Sequence, residues 1–176
     1  MLNLKNITYE IIFVIEENNE DDTYEVINEY MVDMNYKVIY SNGGTVGIAR
    51  NIGLEAARSD YIWFVDGDDW IINPEVLQMA LGELRKSNLN IIQIKFVSNY
   101  FNMEHYSMVW QYIFKKDFLN NVSFNKEKHY EDNDFMTKVF QKLGYGYRLT
   151  LITIPSYFYN YERPGSLMYN LRRGIK

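Results

Sequence analysis

Short unbroken apolar runs alternate along the first half of the chain with stretches whose apolar residues recur at helical spacing. Tyr9 to Ile15 (YEIIFVI) is a β-branched and aromatic run, the pattern of a strand buried on both faces. An acidic turn, Glu16 to Asp22, follows it. Thr23 to Met34 then places Ile27, Tyr30, Met31 and Met34 at helical spacing. Lys37 to Tyr40 (KVIY) predicts a short strand that ends in the Ser-Asn-Gly-Gly turn at 41 to 44, and Val46 to Arg58 an alanine-rich helix. Tyr61 to Val65 (YIWFV) is another buried strand, halted by Asp66-Gly67-Asp68-Asp69. Asn73-Pro74-Glu75 supplies a cap, a proline and an early acid for a helix running to about Arg85, and Ile91 to Val97 returns as a strand.

The second half is less regular. A strand at Val109 to Phe114, a helix at Asp132 to Leu143, and strands at Tyr147 to Ile154 and Ser156 to Tyr161 broken by Pro155 are expected. Strand-helix alternation predicts an α/β fold with a mixed, mostly parallel sheet flanked by helices. No repeat or linker divides the chain, so residues 1–176 read as one domain.

Composition narrows the function classes. With 47% hydrophobic residues over 176 positions, the chain can bury a real core. A net charge of −5 and a pI near 5.1 lack the basic footprint of a nucleic-acid binder, so no nucleic-acid partner is expected. The absence of cysteine removes disulfides, thiolate metal sites and cysteine nucleophiles. No signal-peptide pattern opens the chain, and the longest apolar run, Ile11 to Ile15, is too short to span a bilayer. A soluble, cytoplasmic protein is the expectation.

The sharpest chemical feature is Asp66-Gly67-Asp68-Asp69 directly after a strand, because ligands of α/β sheets bind beyond the carboxyl ends of strands. Three carboxylates in four residues repel one another unless a cation or hydrogen-bond donors offset them. Their hard oxygens suit Mg²⁺ or Mn²⁺, and such an ion can hold a diphosphate. A solvated acidic turn has the same look. Tyr130-Glu131-Asp132-Asn133-Asp134 opens a helix, where acids complement the helix dipole and where a carboxylate can also act as a general base. Of the acids after the first strand, Glu16 and Glu17 are near enough to its end to reach a ligand. His105 and His129 have no ligand-like spacing, and Arg172 to Lys176 reads as a tail. Trp70, Trp110, Tyr112 and Tyr130 are candidates for a sugar-stacking wall or for core and rim.

Together these segments resemble the family-two inverting glycosyltransferases of GT-A fold. The resemblance lies in IIFVIEENNEDDT, SNGGTVGIARNIGLEAARSDYIWFVDGDDWI, HYEDNDF and the closing YFYNYERPGSLM. It implies a GT-A-like, Rossmann-like sheet and a Mn²⁺- or Mg²⁺-dependent transfer from a nucleoside-diphosphate sugar, UDP-sugar favoured, to an acceptor hydroxyl. By the resemblance, Asp66 lies near the ribose and metal, Asp68 is the direct metal ligand, and Asp69 lies beside it. Asp132 is implied as the base, with Glu131 helping to place acceptor or base. Glu17 takes the place of a base-contacting Asp, and Arg50 and Asn51 line the donor pocket.

Two departures from the family pattern stand out. The usual opening strand and loop of the type S-I-I-I-P-x-Y-N has no counterpart, and Leu2 to Ile7 cannot replace that first β-α unit. A shortened enzyme, a sheet completed by a partner chain or a neighbouring subunit, and loss of donor binding all remain open. An uncovered strand favours a homo-oligomer. The family's Asp-Asp-Gly-Ser turn is Glu16-Glu17-Asn18-Asn19, one methylene longer at each acid. The alternatives are a degenerate GT-A domain that binds nucleotide, sugar or partner without turnover, and a haloacid-dehalogenase-like phosphatase. Against the latter, Trp70 stands where that family needs Thr or Val, and no later Gly-Asp-x-x-x-Asp is found.

Overall fold

The computed structural model describes residues 7–17, 21–99, 108–127, 130–164 and 170. Readings that fall on the opening residues 1–6, on Asn18 and Asn19, on His105 and His129, on 165–169 of the closing segment and on the tail from Arg172 lie outside them. Seven strands and four α-helices occur among the described residues. The chain divides into two interleaved compact units, Asn6–Ile62 with Lys116–Tyr145, and Trp63–Lys115 with the chain from Gly146 onward.

The unit that begins the chain is built on β1 (Ile11–Glu16) and β2 (Tyr36–Ser41), paired in parallel from Ile11↔Tyr36 to Glu16↔Ser41. Helix α1 (Thr23–Tyr30) crosses between them and stops four residues before the expected end, with Ile27 its buried contact. Helix α2 (Val46–Ala56) begins cleanly. Gly43 and Gly44 take positive φ angles to turn the chain, and the Thr45 side chain caps the helix by accepting from Ile48 N–H. Helix α4 (Glu131–Leu143) completes this unit, burying Phe135, Met136 and Val139, with Phe124 stacked on Phe135 at 4.0 Å.

The other unit carries a five-stranded mixed sheet of order β3-β6-β5-β7-β4. Its strands are β3 (Tyr61–Trp63, of which Trp63 falls in this unit), β4 (Trp70–Ile71), β5 (Ile91–Ser98), β6 (Tyr112–Lys115) and β7 (Leu151–Tyr159). β5 runs parallel to β7 but antiparallel to β6, and β4 is antiparallel to β7. Strand-helix alternation predicts parallel pairs, and the antiparallel share comes from strands whose order along the chain is no longer set by helical crossovers. Helix α3 (Val76–Lys86) starts one residue past the Asn-Pro-Glu signal and buries Val76, Ala80 and Leu84.

Two sequence expectations are corrected in this unit. Pro155 does not break the last strand. β7 passes through it with register shifts opposite Lys95, the irregularity that lets a residue without an N–H stand in a sheet. The Pro155 carbonyl also accepts a bond from the Asn73 side chain. Val109–Gln111 forms a 3₁₀ turn rather than strand, and it delivers Trp110 into the core. There Trp110 stacks on Tyr157 at 4.6 Å and on Tyr159 at 5.1 Å.

Candidate active site

The 66–69 turn begins three residues after β3 ends at Trp63. Asp69 N–H closes it onto the Asp66 carbonyl at 3.2 Å. Asp69 then uses both carboxylate oxygens within the protein: Oδ2 accepts from the Tyr157 hydroxyl at 2.5 Å and Oδ1 from Asn160 N–H at 2.8 Å. The same Tyr157 oxygen accepts from Asp66 N–H at 3.1 Å. Burial pushes the Asp69 carboxyl up to about 6, against these two hydrogen bonds, and the charges of Asp66 and Asp68 push the same way. Burial and the charges of Asp66 and Asp69 hold the Tyr157 hydroxyl protonated far above its ordinary value. It is therefore a permanent donor to Asp69. Asp68, by contrast, meets a cation: Arg163 Nη1 lies 3.3 Å from its Oδ2. Gly67 faces open space, so it leaves room beside Asp66 and Asp68.

The second group of acids is in the unit of α2 and α4. Arg50 Nη1 bonds Glu131 Oε1 at 2.7 Å and also Asp132 Oδ1. The three side chains are only 10%, 15% and 10% exposed, so this is a buried ion triad. The guanidinium also lies 5.5 Å from the centre of the Phe124 ring. Next to it, Asn51 clamps the backbone of Phe124, donating to its carbonyl at 2.9 Å and accepting from its N–H at 2.8 Å. Thr45 Oγ1 donates to the Lys126 carbonyl at 2.9 Å. Three side chains near the start of α2 thus fix the segment that leads into α4. Tyr130, just ahead of the acids, caps α4 in the left-handed region at φ 68° and is exposed. That conformation costs an L-residue roughly 1–2 kcal/mol, and such strain tends to gather at functional positions.

Against this geometry, the sequence matches one family over residues 1–148, Glycosyl transferase family 2. The chain belongs to that family. It is 24% identical, over 89% of its length and 54% of the other's, to the uncharacterized glycosyltransferase EpsJ of Bacillus subtilis. Among solved structures it is similar to S. aureus TarS 1–349 in complex with UDP-GlcNAc, with a TM-score of 0.75, 24% identity and coverage of 90% of this chain and 51% of that one. It is also similar to the mannosyltransferase PcManGT of Pyrobaculum calidifontis in complex with GDP-Man and Mn²⁺, with a TM-score of 0.65, 17% identity and coverage of 93% and 51%. These neighbours show the GT-A fold. The chain spans about half the length of each of these relatives. Membership in the glycosyltransferase family sets the phosphatase alternative aside.

Within the family-two fold the eight residues singled out in the sequence sort unevenly. Asp66, Asp68 and Asp69 form one turn, and Arg50, Glu131 and Asp132 form one triad. Glu17 is exposed, and its N–H is bonded to the Ser41 carbonyl. Asn51 is bonded to the Phe124 backbone, and Asp69 to Tyr157 and Asn160. Trp110 and Tyr112 are fully buried and cannot form a stacking wall, whereas Trp70 and Tyr130 are exposed. Sequence reasoning misses Tyr157. Its signal is the period-two pairing of Tyr157 with Tyr159, which puts both rings on one face of β7. Among the described residues no helix is long and apolar enough to cross a membrane.

Proposed function

We propose that the chain carries a metal-dependent, inverting transfer of a sugar from a nucleoside diphosphate, UDP favoured, to an acceptor hydroxyl. The observation that carries this reading is the 66–69 turn, where Asp69 is tied down by Tyr157 and Asn160 while Asp68 rests against a cation. Among the described residues no three His, Cys, Asp or Glu side chains gather as a ready-made metal cage. Two acids, Asp66 and Asp68, suit instead a Mg²⁺ or Mn²⁺ ion whose remaining positions are filled by water and phosphate oxygens. The cation already on Asp68 supports this, because the position favours positive charge. When bound, such an ion offsets the negative charge that builds on the departing diphosphate.

Asp132 is proposed to take the proton of the acceptor hydroxyl as that oxygen attacks the sugar carbon in line with the leaving diphosphate. Glu131 shares Arg50 with it, which fixes where both carboxylates point. Glu17 is proposed to contact the nucleotide base. Calorimetric titration of UDP with and without Mn²⁺ tests the donor half: binding should require the ion and be abolished by Asp68→Asn. Asp132→Asn should bind UDP as the wild type does and release no UDP from a UDP-sugar. Wild-type turnover in both variants would sink the assignment.

A further inference from the structure

Arg163 has no part in the transfer proposed so far, yet its guanidinium is the cation that meets Asp68. Its placement is built rather than incidental. Asp69, from the acidic turn itself, holds Asn160 N–H, and Asn99 Oδ1 accepts from Tyr161 N–H at 2.9 Å. Asn99 Nδ2 donates in turn to Asn160 Oδ1 at 3.1 Å. The backbone leading to Arg163 is therefore fastened at Asn160 and Tyr161, while its side chain stays 55% exposed. The contact is a single one, Nη1 to Oδ2, and Asp68 is itself 25% exposed. A pair in that setting adds little to stability, so it can be exchanged for another partner at small cost.

We infer that Arg163 occupies Asp68 in the metal-free protein and transfers to the phosphates of the nucleotide when a divalent ion takes its place. This rests on the reading of Asp68 as the metal ligand. The chemistry suits the exchange: one cation must leave Asp68 before another binds. A released guanidinium has a planar fork of donors that matches a phosphate's oxygens. Arg163 would then contribute twice, holding the charge of the turn in the resting protein and neutralising the diphosphate in the loaded one. Glu162, adjacent and exposed, is the nearest carboxylate in sequence that could also attract the freed side chain.

Two binding measurements on the purified protein test it. Mn²⁺ is titrated without nucleotide and followed by electron paramagnetic resonance, and UDP is titrated calorimetrically in EDTA and again with Mn²⁺. Arg163→Gln should bind Mn²⁺ alone about two- to five-fold more tightly, because its competitor is gone. With Mn²⁺ present the same variant should bind UDP roughly ten-fold more weakly, the worth of one charge-assisted contact, while in EDTA neither protein should bind it. Arg163→Lys should fall between the two. Unchanged affinities in Arg163→Gln, or weaker Mn²⁺ binding, would overturn the exchange and leave a surface ion pair. Failure of the parent reading looks different: the wild type would take up neither Mn²⁺ nor UDP, or Asp68→Asn would bind Mn²⁺ as well as the wild type.

Discussion

Arg50 illustrates how one buried side chain can decide the state of two others. Glu131 and Asp132 share its guanidinium at 10–15% exposure, so removing it strands two carboxylates away from water. Breaking one partner out of a buried pair costs about 3–5 kcal/mol, far more than the net worth of the intact pair. Arg50→Gln should therefore lower stability by about 3 kcal/mol in urea unfolding, and adding Asp132→Asn should return part of that loss. Asp69 gives a second expectation, in pH. Its carboxyl is raised from 3.8 to about 6 in the folded protein, so folding favours its protonated form. That contribution is complete below about pH 4 and fades as pH rises through 6. Thermal melts in EDTA should show this loss between about pH 4 and 7, and Asp69→Asn should remove it. The acids are readable as residues because they cluster along the chain. What Arg50, Asn51 and Asp69 do with their side chains is not, since their partners lie more than 70 positions away.

At the scale of elements, α2 shows propensity and packing pulling in opposite directions. Gly47 lies in its first turn, where alanine would favour helix by about 1 kcal/mol. A methyl there, however, would run into the Asn125 carbonyl and press on Phe124 Cβ at 3.3 Å. Those atoms belong to the segment that Thr45 and Asn51 fasten to the helix, so they cannot move aside freely. Overpacking of that kind costs about 1–3 kcal/mol, and packing should win: Gly47→Ala should destabilise the protein in urea unfolding. The helices and β1, β2 and β5 are legible in the sequence because their apolar periods are long enough to be unambiguous. β4 is not, being two residues long and paired only through β7. The continuity of β7 through Pro155 depends on a bulge against β5, which no local pattern announces.

At the scale of the whole molecule, the chain leaves and re-enters each unit, so neither corresponds to a contiguous stretch of sequence. The two groups of acids fall one to each unit. That is why the proposed donor-binding and base functions should respond separately to Asp68→Asn and Asp132→Asn. It also gives the closing segment more weight than the family match does. That match ends at residue 148, yet β7 comes after it and lies between β5 and β4 in the five-stranded sheet. β7 supplies Tyr157, buried between Trp63 and Trp110 and bonded to Asp69, and the chain just beyond it supplies Asn160. Without β7 the sheet loses an interior strand, Trp110 loses its stacking partners, and Asp69 loses both of its donors. A chain ending at residue 148 should therefore lose the cooperative thermal transition expected of the full chain and bind no UDP with Mn²⁺ present. Retention of both by the truncated chain would show that the acidic turn holds its shape without Tyr157 and Asn160, and Asp69 would then have no positioning role.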